Sequence, residues 1–223
     1  MRVRRIVWEN GLSLVLIGLF LITIVGQIGT GLLAYNAQQR EHHQPTVGLL
    51  TYLGTGHFVE ATAENWESEF LQMGMFVILT VLLRQKGSAE SKKPDGREDV
   101  DEDPRDHAQD PDVPWPVRKG GPILWLYSRS LFIAFMLLFL ISFLGHAWGG
   151  AREHSEEQSA HGEAPVSLLQ FMGTSEFWFQ SFQNWQSEFL SIAAMVIFTI
   201  WLRQYGSPES KPVHWPHAKT ASE

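Results

Sequence analysis

Apolar residues fall in four blocks along the chain, and two of these blocks are long enough to cross a membrane. Leu12–Leu33 and Ser130–Ala151 each contain 22 residues without a charged side chain. A helix of about 20 apolar residues crosses a ~30 Å hydrocarbon layer. The pattern therefore predicts membrane-spanning helices over about 11–33 and 124–149. The mean hydropathy of the whole chain is only −0.08, because acidic and histidine-bearing segments separate the blocks.

The other two blocks are shorter and begin with a glutamate. Glu69 and Glu188 are each followed by 14 charge-free residues and then by an arginine. At ~1.5 Å per residue, such a stretch is about 21 Å long and too short to span the hydrocarbon layer. Starting each helix at the tryptophan three residues earlier adds the missing length and places the glutamate near the headgroups. We therefore predict two further spans, over about 66–84 and 185–203.

An internal repeat relates the two pairs of spans. Displaced by 119 residues, Leu12–Lys92 aligns without a gap with Leu131–Lys211, at 32 identities in 81 positions. A fold built from such a sequence consists of two like halves. The predicted fold class is all-α: an integral membrane protein with four transmembrane helices in two tandem, parallel two-helix repeats. Residues 1–92 and 123–212 form the repeats.

Charge predicts how the spans are oriented. Fifteen of the 17 Lys and Arg residues lie before the first span, between the second and third, or after the fourth. The positive-inside rule places both termini, the central linker and the tail 213–223 in the cytoplasm. The linker, 93–122, is acidic and has few apolar residues, so we predict that it is disordered. Short apolar runs at 47–55 and 166–174 predict short extracytoplasmic helices that lie on the membrane surface or cap the helix bundle.

The element Asn-Trp-x-Ser-Glu-Phe-Leu occurs in both halves and has two interpretations. On a helix that begins at the asparagine, its side chain caps free N–H groups and the glutamate lies near the positive end of the helix dipole. Alternatively, the two glutamates line an aqueous path and carry protons or cations. The candidate polar residues are Asn65, Trp66, Ser68, Glu69, Asn184, Trp185, Ser187 and Glu188.

A second repeated element, Gly-Ser-x-Glu-Ser-Lys, follows the second and fourth spans. Glycine after a basic residue is typical of a helix end. A helix end does not require the Ser-x-Glu-Ser-Lys residues that follow the glycine. They predict either a cytoplasmic docking segment or a brace on the inner face of the protein. The candidate residues are Gly87, Ser88, Glu90, Ser91, Lys92, Gly206, Ser207, Glu209, Ser210 and Lys211.

Other chemistry has little support in the sequence. The equivalent histidines His42 and His161 are candidate metal ligands, but the spacing of a zinc site is missing, so we predict no metal and no cofactor. Walker, Gly-x-Ser-x-Gly and dinucleotide motifs are also missing, which argues against an enzyme. A net charge of −7 disfavours nucleic acid as a partner. Without cysteine, the chain forms no disulfide.

Taken together, the motifs resemble an uncharacterised bacterial membrane-protein family, a domain of unknown function. The similarity includes the start of the first span at Asn10–Ser13, both Asn-Trp-x-Ser-Glu-Phe-Leu elements and both Gly-Ser-x-Glu-Ser-Lys elements. It covers almost the whole chain and implies the bacterial cytoplasmic membrane, without supplying an activity, substrate or catalytic residue.

Two functions are consistent with these patterns. The first is a non-enzymatic scaffold or accessory subunit of the cell envelope, which contacts the lipid bilayer and binds a membrane or cytoplasmic protein partner. The second is a small proton- or cation-coupled transporter or channel that uses Glu69 and Glu188.

Overall fold

The computed structural model describes residues 2–160 and 162–220, and in these residues all regular secondary structure is helical. One 3-10 turn lies at Asp99–Asp101. The α-helices are α1 (Arg2–Glu9), α2 (Gly11–Glu41), α3 (Leu49–Tyr52), α4 (Gly56–Leu82), α5 (Trp115–Lys119), α6 (Gly121–Tyr127), α7 (Ser130–Ala160), α8 (Leu168–Met172) and α9 (Ser175–Trp201).

Two helices of the described residues, α2 and α7, are long and apolar enough to cross a membrane. In α2, the most apolar stretch is entirely unburied, so its side chains are available to lipid. Both helices are 31 residues long and continue beyond their charge-free blocks. Their polar ends, 34–41 and 152–160, lie outside the predicted spans.

The helix boundaries follow the 119-residue displacement of the sequence. α2 and α7 begin 119 residues apart, and so do the 27-residue helices α4 and α9. The predicted short helices within 47–55 and 166–174 are confirmed as α3 and α8. The predicted linker contains α5 and the start of α6.

The starts of α4 and α9 differ from the prediction. We expected helices to begin near Asn65 and Asn184, whereas they begin at Gly56 and Ser175. Threonines supply the capping oxygens: the Phe58 N–H donates to Thr55 Oγ1 at 3.3 Å, and the equivalent Phe177 N–H donates to Thr174 Oγ1 at 3.3 Å.

The chain divides into two compact units that cut across the repeat. The first unit consists of Met1–Ala63 and Gly145–Phe177, and the second consists of Glu64–Leu144 and Trp178–Glu223. Each unit therefore takes segments from both halves of the sequence.

In the first unit, glycine allows the start of α4 to pack directly on α7. A Cβ atom on Gly56 would lie 2.6 Å from the Gly149 carbonyl oxygen, and one on Gly149 would meet the backbone of Glu60. One turn along, Gly145 faces the Ala63 methyl group. The spacing Gly145-x-x-x-Gly149 therefore forms a close helix crossing, as small residues four apart do in membrane proteins.

Two buried aromatic residues fix the short helices of the first unit. Tyr52 of α3 packs against Gly31, and the equivalent Phe171 of α8 packs against the equivalent Gly150. Both rings are almost fully buried. The loop that leads to α3 is also fixed, since the Asn36 side chain bonds both backbone polar groups of Val47 at 2.7 and 3.0 Å.

Candidate functional site

The repeated Asn-Trp-x-Ser-Glu elements lie in helix interiors. Asn65 is nine residues after the start of α4, and Asn184 is nine residues after the start of α9. The predicted capping role of these asparagines, with a glutamate at the positive helix end, is therefore wrong, because the free N–H groups of a helix are confined to its first turn. Their backbone carbonyls accept hydrogen bonds from the Ser68 and Ser187 hydroxyls at 2.8 Å.

In the second unit, polar side chains join α4 to α9. The Trp185 indole N–H donates to Glu67 Oε1 at 3.1 Å, and the Asn184 amide donates to Glu64. Glu67 is fully buried. A buried carboxylate is costly unless it is hydrogen-bonded, so this pair specifies how the two helices meet.

A second polar contact lies further along the same interface. The Gln72 amide donates to the Glu188 carbonyl oxygen and to the Ser191 hydroxyl, both at 3.2 Å. Gln72 and Ser191 are equivalent residues of the repeat, so here α4 and α9 meet at corresponding points of their sequences. The sequence analysis missed Glu64, Glu67 and Gln72, although an acidic and an amide side chain inside a predicted span were visible signals.

The predicted glutamate pair is less enclosed. Glu69 is exposed and Glu188 is half-buried, and their carboxyl groups interact electrostatically. Trp66, which precedes this pair, is 41% exposed. The structure thus brings Glu69 and Glu188 near each other, while the buried contacts are made by Glu67, Gln72 and Trp185.

The two Gly-Ser-x-Glu-Ser-Lys segments fold into the same hydrogen-bonded turn. The backbone N–H of Gln85 donates to Ser91 Oγ at 2.8 Å, and that of Gln204 donates to Ser210 Oγ at 2.9 Å. Each glycine has a positive φ, 86° for Gly87 and 81° for Gly206. Glycine adopts this conformation without strain.

Within each turn, the first serine accepts a second backbone hydrogen bond. The Glu90 N–H donates to Ser88 Oγ at 3.0 Å, and the Glu209 N–H donates to Ser207 Oγ at 3.2 Å. We define residues 85–91 as the first turn and residues 204–210 as the second turn. The serines that are common to both copies therefore give the two turns the same local geometry.

Only the first turn is covered. Ser88 is completely buried and lies 3.1 Å from the Thr199 hydroxyl. Gly87 N–H donates to the Thr220 hydroxyl at 2.7 Å. A Cβ atom on Gly206 would meet nothing within 4 Å, so the second turn is open at this point.

Lys211 has a different environment from its repeat equivalent, Lys92. The ammonium group of Lys211 is buried among four backbone carbonyl oxygens, of Gly87 and, at 2.8 to 3.4 Å, of Lys219, His217 and Ile200. Lys92 forms an ion pair with Asp101 instead. Burial and the nearby Arg203 guanidinium lower the pKa of Lys211.

In the first unit, three equivalent positions of each half form an aromatic and ionisable cluster. The Tyr35 ring lies 5.7 Å from that of Tyr52 and 5.5 Å from that of His57. The equivalent residues of the second half are His154, Phe171 and Glu176. The His154 ring lies 5.7 Å from that of Phe171, and the His154 Nδ1 atom lies 3.2 Å from the Glu176 carboxylate. The sequence analysis missed both sets.

Acidic residues of α7 adjoin the first set. The Tyr35 hydroxyl donates to Glu156 at 3.5 Å. Burial and the neighbouring carboxylates of Glu156 and Glu60 raise the pKa of Glu153 to about 7. Burial raises the pKa of Tyr35 to about 12, and it lowers the pKa of His57. Glu153 is therefore the group of this cluster whose pKa lies near neutral pH.

An open cleft of about 950 Å³ lies beside these groups. Its lining includes Tyr35, Gln39, His42, Glu153 and Glu156. Among residues 2–160 and 162–220, no three His, Cys, Asp or Glu side chains gather as metal ligands would. The second candidate ligand, His161, lies outside the described residues.

The fold and these contacts define an all-helical chain with two apolar candidate membrane helices. The chain belongs to a family whose model matches residues 3–222 and is described as "Domain of unknown function (DUF6766)". Neither a curated protein nor a solved structure matches the chain.

Proposed function

We propose that this chain is a four-span protein of the bacterial cytoplasmic membrane that acts by binding a protein partner, as a scaffold or accessory subunit. The proposal adds α4 and α9 to the two candidate spans, with their polar first halves at the outer surface. Tandem duplication of a two-helix unit explains why the helix boundaries recur after 119 residues. Both termini and the two turns then lie in the cytoplasm.

The observation that carries the binding proposal is the repeated turn. Both copies keep the same backbone geometry and the same serine hydrogen bonds beyond a helix end. A helix end requires only the glycine. A rigid turn that exposes side chains such as Tyr205 and Glu209 provides a preorganised surface for a partner.

Site-specific crosslinking in native membranes tests this proposal. A photoreactive residue at Tyr205, which is 88% exposed, is expected to give a discrete protein adduct. The same residue at Val100, 77% exposed in the linker, is the matched control. Replacing Ser207 and Ser210 by alanine removes the hydrogen bonds of the second turn and is expected to abolish the adduct. Lipid adducts alone at Tyr205 would contradict the proposal.

A second candidate function is proton or cation transport, which the electrostatic repulsion between the Glu69 and Glu188 carboxylates supports. Paired carboxyl groups inside a membrane mark ion pathways in many transporters. Under this alternative, the double variant Glu69→Gln with Glu188→Gln abolishes ion flux in proteoliposomes and leaves folding intact. Glu163→Gln, outside the spans, is the control. Absence of flux with the unchanged protein rules this alternative out under the conditions used.

A further inference from the structure

The C-terminal tail of the second unit and Lys211, which precedes it, bind the two backbone polar groups of Gly87 in the first turn. The Gly87 N–H donates to the Thr220 hydroxyl at 2.7 Å, and the Gly87 carbonyl oxygen accepts from the Lys211 ammonium. The His217 carbonyl oxygen comes so close that a Cβ atom on Gly87 would lie 2.7 Å from it. The tail therefore lies directly over this turn.

One side chain connects the tail to the rest of the unit. An ammonium group has three N–H donors, and those of Lys211 are shared among carbonyl oxygens of the first turn, the end of α9 and the tail. With 1% of its surface exposed, Lys211 exchanges few of these contacts for water. Removing the ammonium takes this donor away from the buried Gly87 carbonyl oxygen, which favours opening of the contact because a buried acceptor without a donor is destabilising.

The repeat provides an internal comparison. Ser88 and Ser207 occupy equivalent places in turns of the same geometry, yet Ser88 is buried and Ser207 is half-buried. Lys92, the equivalent of Lys211, pairs with an acidic side chain of the linker. One copy of the motif is covered and the other is open, although the sequence retains the same residues in both.

We propose that residues 212–220 form a releasable strap that covers the first turn, with Lys211 as its latch. In the latched protein, only the second turn is available to a partner; release of the strap makes both turns available. This consequence for the partner rests on the proposed function, whereas the strap itself does not.

Thiol labelling of purified protein tests the strap without any partner. The chain contains no cysteine, so Ser88→Cys and Ser207→Cys each introduce a single thiol. With Lys211 in place, a maleimide is expected to label position 88 at least about tenfold more slowly than position 207, since a buried thiol reacts only in locally opened molecules. Lys211→Met is expected to raise the rate at position 88 towards that at position 207. The matched control Lys92→Met leaves both rates unchanged.

The second variant, Thr220→Val, removes the other bond to Gly87 without changing a charge. It is also expected to raise the labelling rate at position 88. If Lys211→Met fails to give a helical, monodisperse protein, the rate measured with Thr220→Val tests the strap. The strap is refuted if position 88 reacts as fast as position 207 in the otherwise unchanged chain, or if it stays protected in the folded variants. Neither labelling result changes the crosslinking that is expected at Tyr205. The strap and the partner proposal are therefore tested independently.

Discussion

Glu153 shows at the residue scale how burial changes chemistry near a helix end. Its Oε2 atom is buried without a hydrogen-bond partner, and its backbone lies against Gly56. The carboxylates of Glu156, Glu157 and Glu60 repel its charge, whereas the His57 backbone N–H favours ionisation. The neutral, protonated form is therefore the one that this environment favours.

A pH dependence of stability follows from this environment. The folded-state pKa of about 7 exceeds the ordinary value of 4.5, so the folded protein holds a proton that the unfolded chain releases. The contribution of Glu153 to stability is expected to be greatest below about pH 4.5 and to be lost as the pH rises through about 7. Glu153→Gln removes this fall and stabilises the protein at pH 8. Thermal unfolding in detergent from pH 4 to 8 measures it, with the exposed Glu163→Gln as the control.

The pH prediction has a clear contrary outcome. If Glu153→Gln keeps the same fall in unfolding temperature between pH 4.5 and 7, another group is responsible for it.

The bond between Glu67 and Trp185 supports a second residue-scale prediction. Glu67→Leu leaves the partly buried Trp185 indole N–H without its acceptor, which is expected to cost about 1–3 kcal/mol of unfolding free energy. Glu67→Gln keeps an acceptor oxygen and is expected to cost less, as the second half carries glutamine at the equivalent position 186. Reversible unfolding in mixed micelles measures these changes.

A double-mutant cycle separates this bond from other effects of the substitutions. In Trp185→Phe the N–H is absent, so adding Glu67→Leu is expected to cost less than it does alone. Strictly additive losses would show that the bond does not stabilise the fold.

At the scale of elements, the close crossing of α4 and α7 depends on glycine. A Cβ atom on Gly149 would meet the backbone of Glu60, which cannot rotate away as a side chain can. Gly149→Ala is therefore expected to separate the helices and to destabilise the first unit by about 1–3 kcal/mol, the usual cost of overpacking. Thermal unfolding monitored by circular dichroism measures the loss.

Gly26→Ala is the matched control for this crossing. Gly26 also lies within a long helix, but a Cβ atom there would meet nothing within 4 Å. Alanine favours a helix over glycine by up to about 1 kcal/mol, so this variant is expected to be unchanged or slightly more stable. Equal losses at both positions would contradict a specific role of the Gly149 crossing.

The elements also show which features a sequence can predict. α2 and α7 follow from their uninterrupted apolar blocks, and α3 and α8 from short apolar runs between polar segments. The starts of α4 and α9 were placed too late because their first halves are polar. A polar segment lacks the apolar periodicity by which a helix is predicted from sequence. The capping threonine before each helix was the local indication of where the helix starts.

The candidate sites were less predictable than the helices. Repetition identified the Gly-Ser-x-Glu-Ser-Lys segments, but the different roles of Lys92 and Lys211 arise from contacts with residues far along the chain. The cluster of Tyr35, Tyr52 and His57 was missed since its members are unlike their equivalents in the second half. Tertiary contacts of this kind have no local signal.

For the whole molecule, the central claim is that a duplicated two-helix unit crosses the membrane four times. The two candidate spans alone are compatible with several topologies. Four crossings require α4 and α9 to span as well, and then the linker and the tail lie on the same side as the N-terminus.

Reporter fusions measure this most directly. A cytoplasm-active fluorescent protein and a periplasm-active phosphatase are fused after residues 45, 100, 164 and 220. Four crossings predict fluorescence at 100 and 220 and phosphatase activity at 45 and 164. Phosphatase activity at 100, or fluorescence at 45 or 164, would contradict the four-span topology on which the proposed function depends.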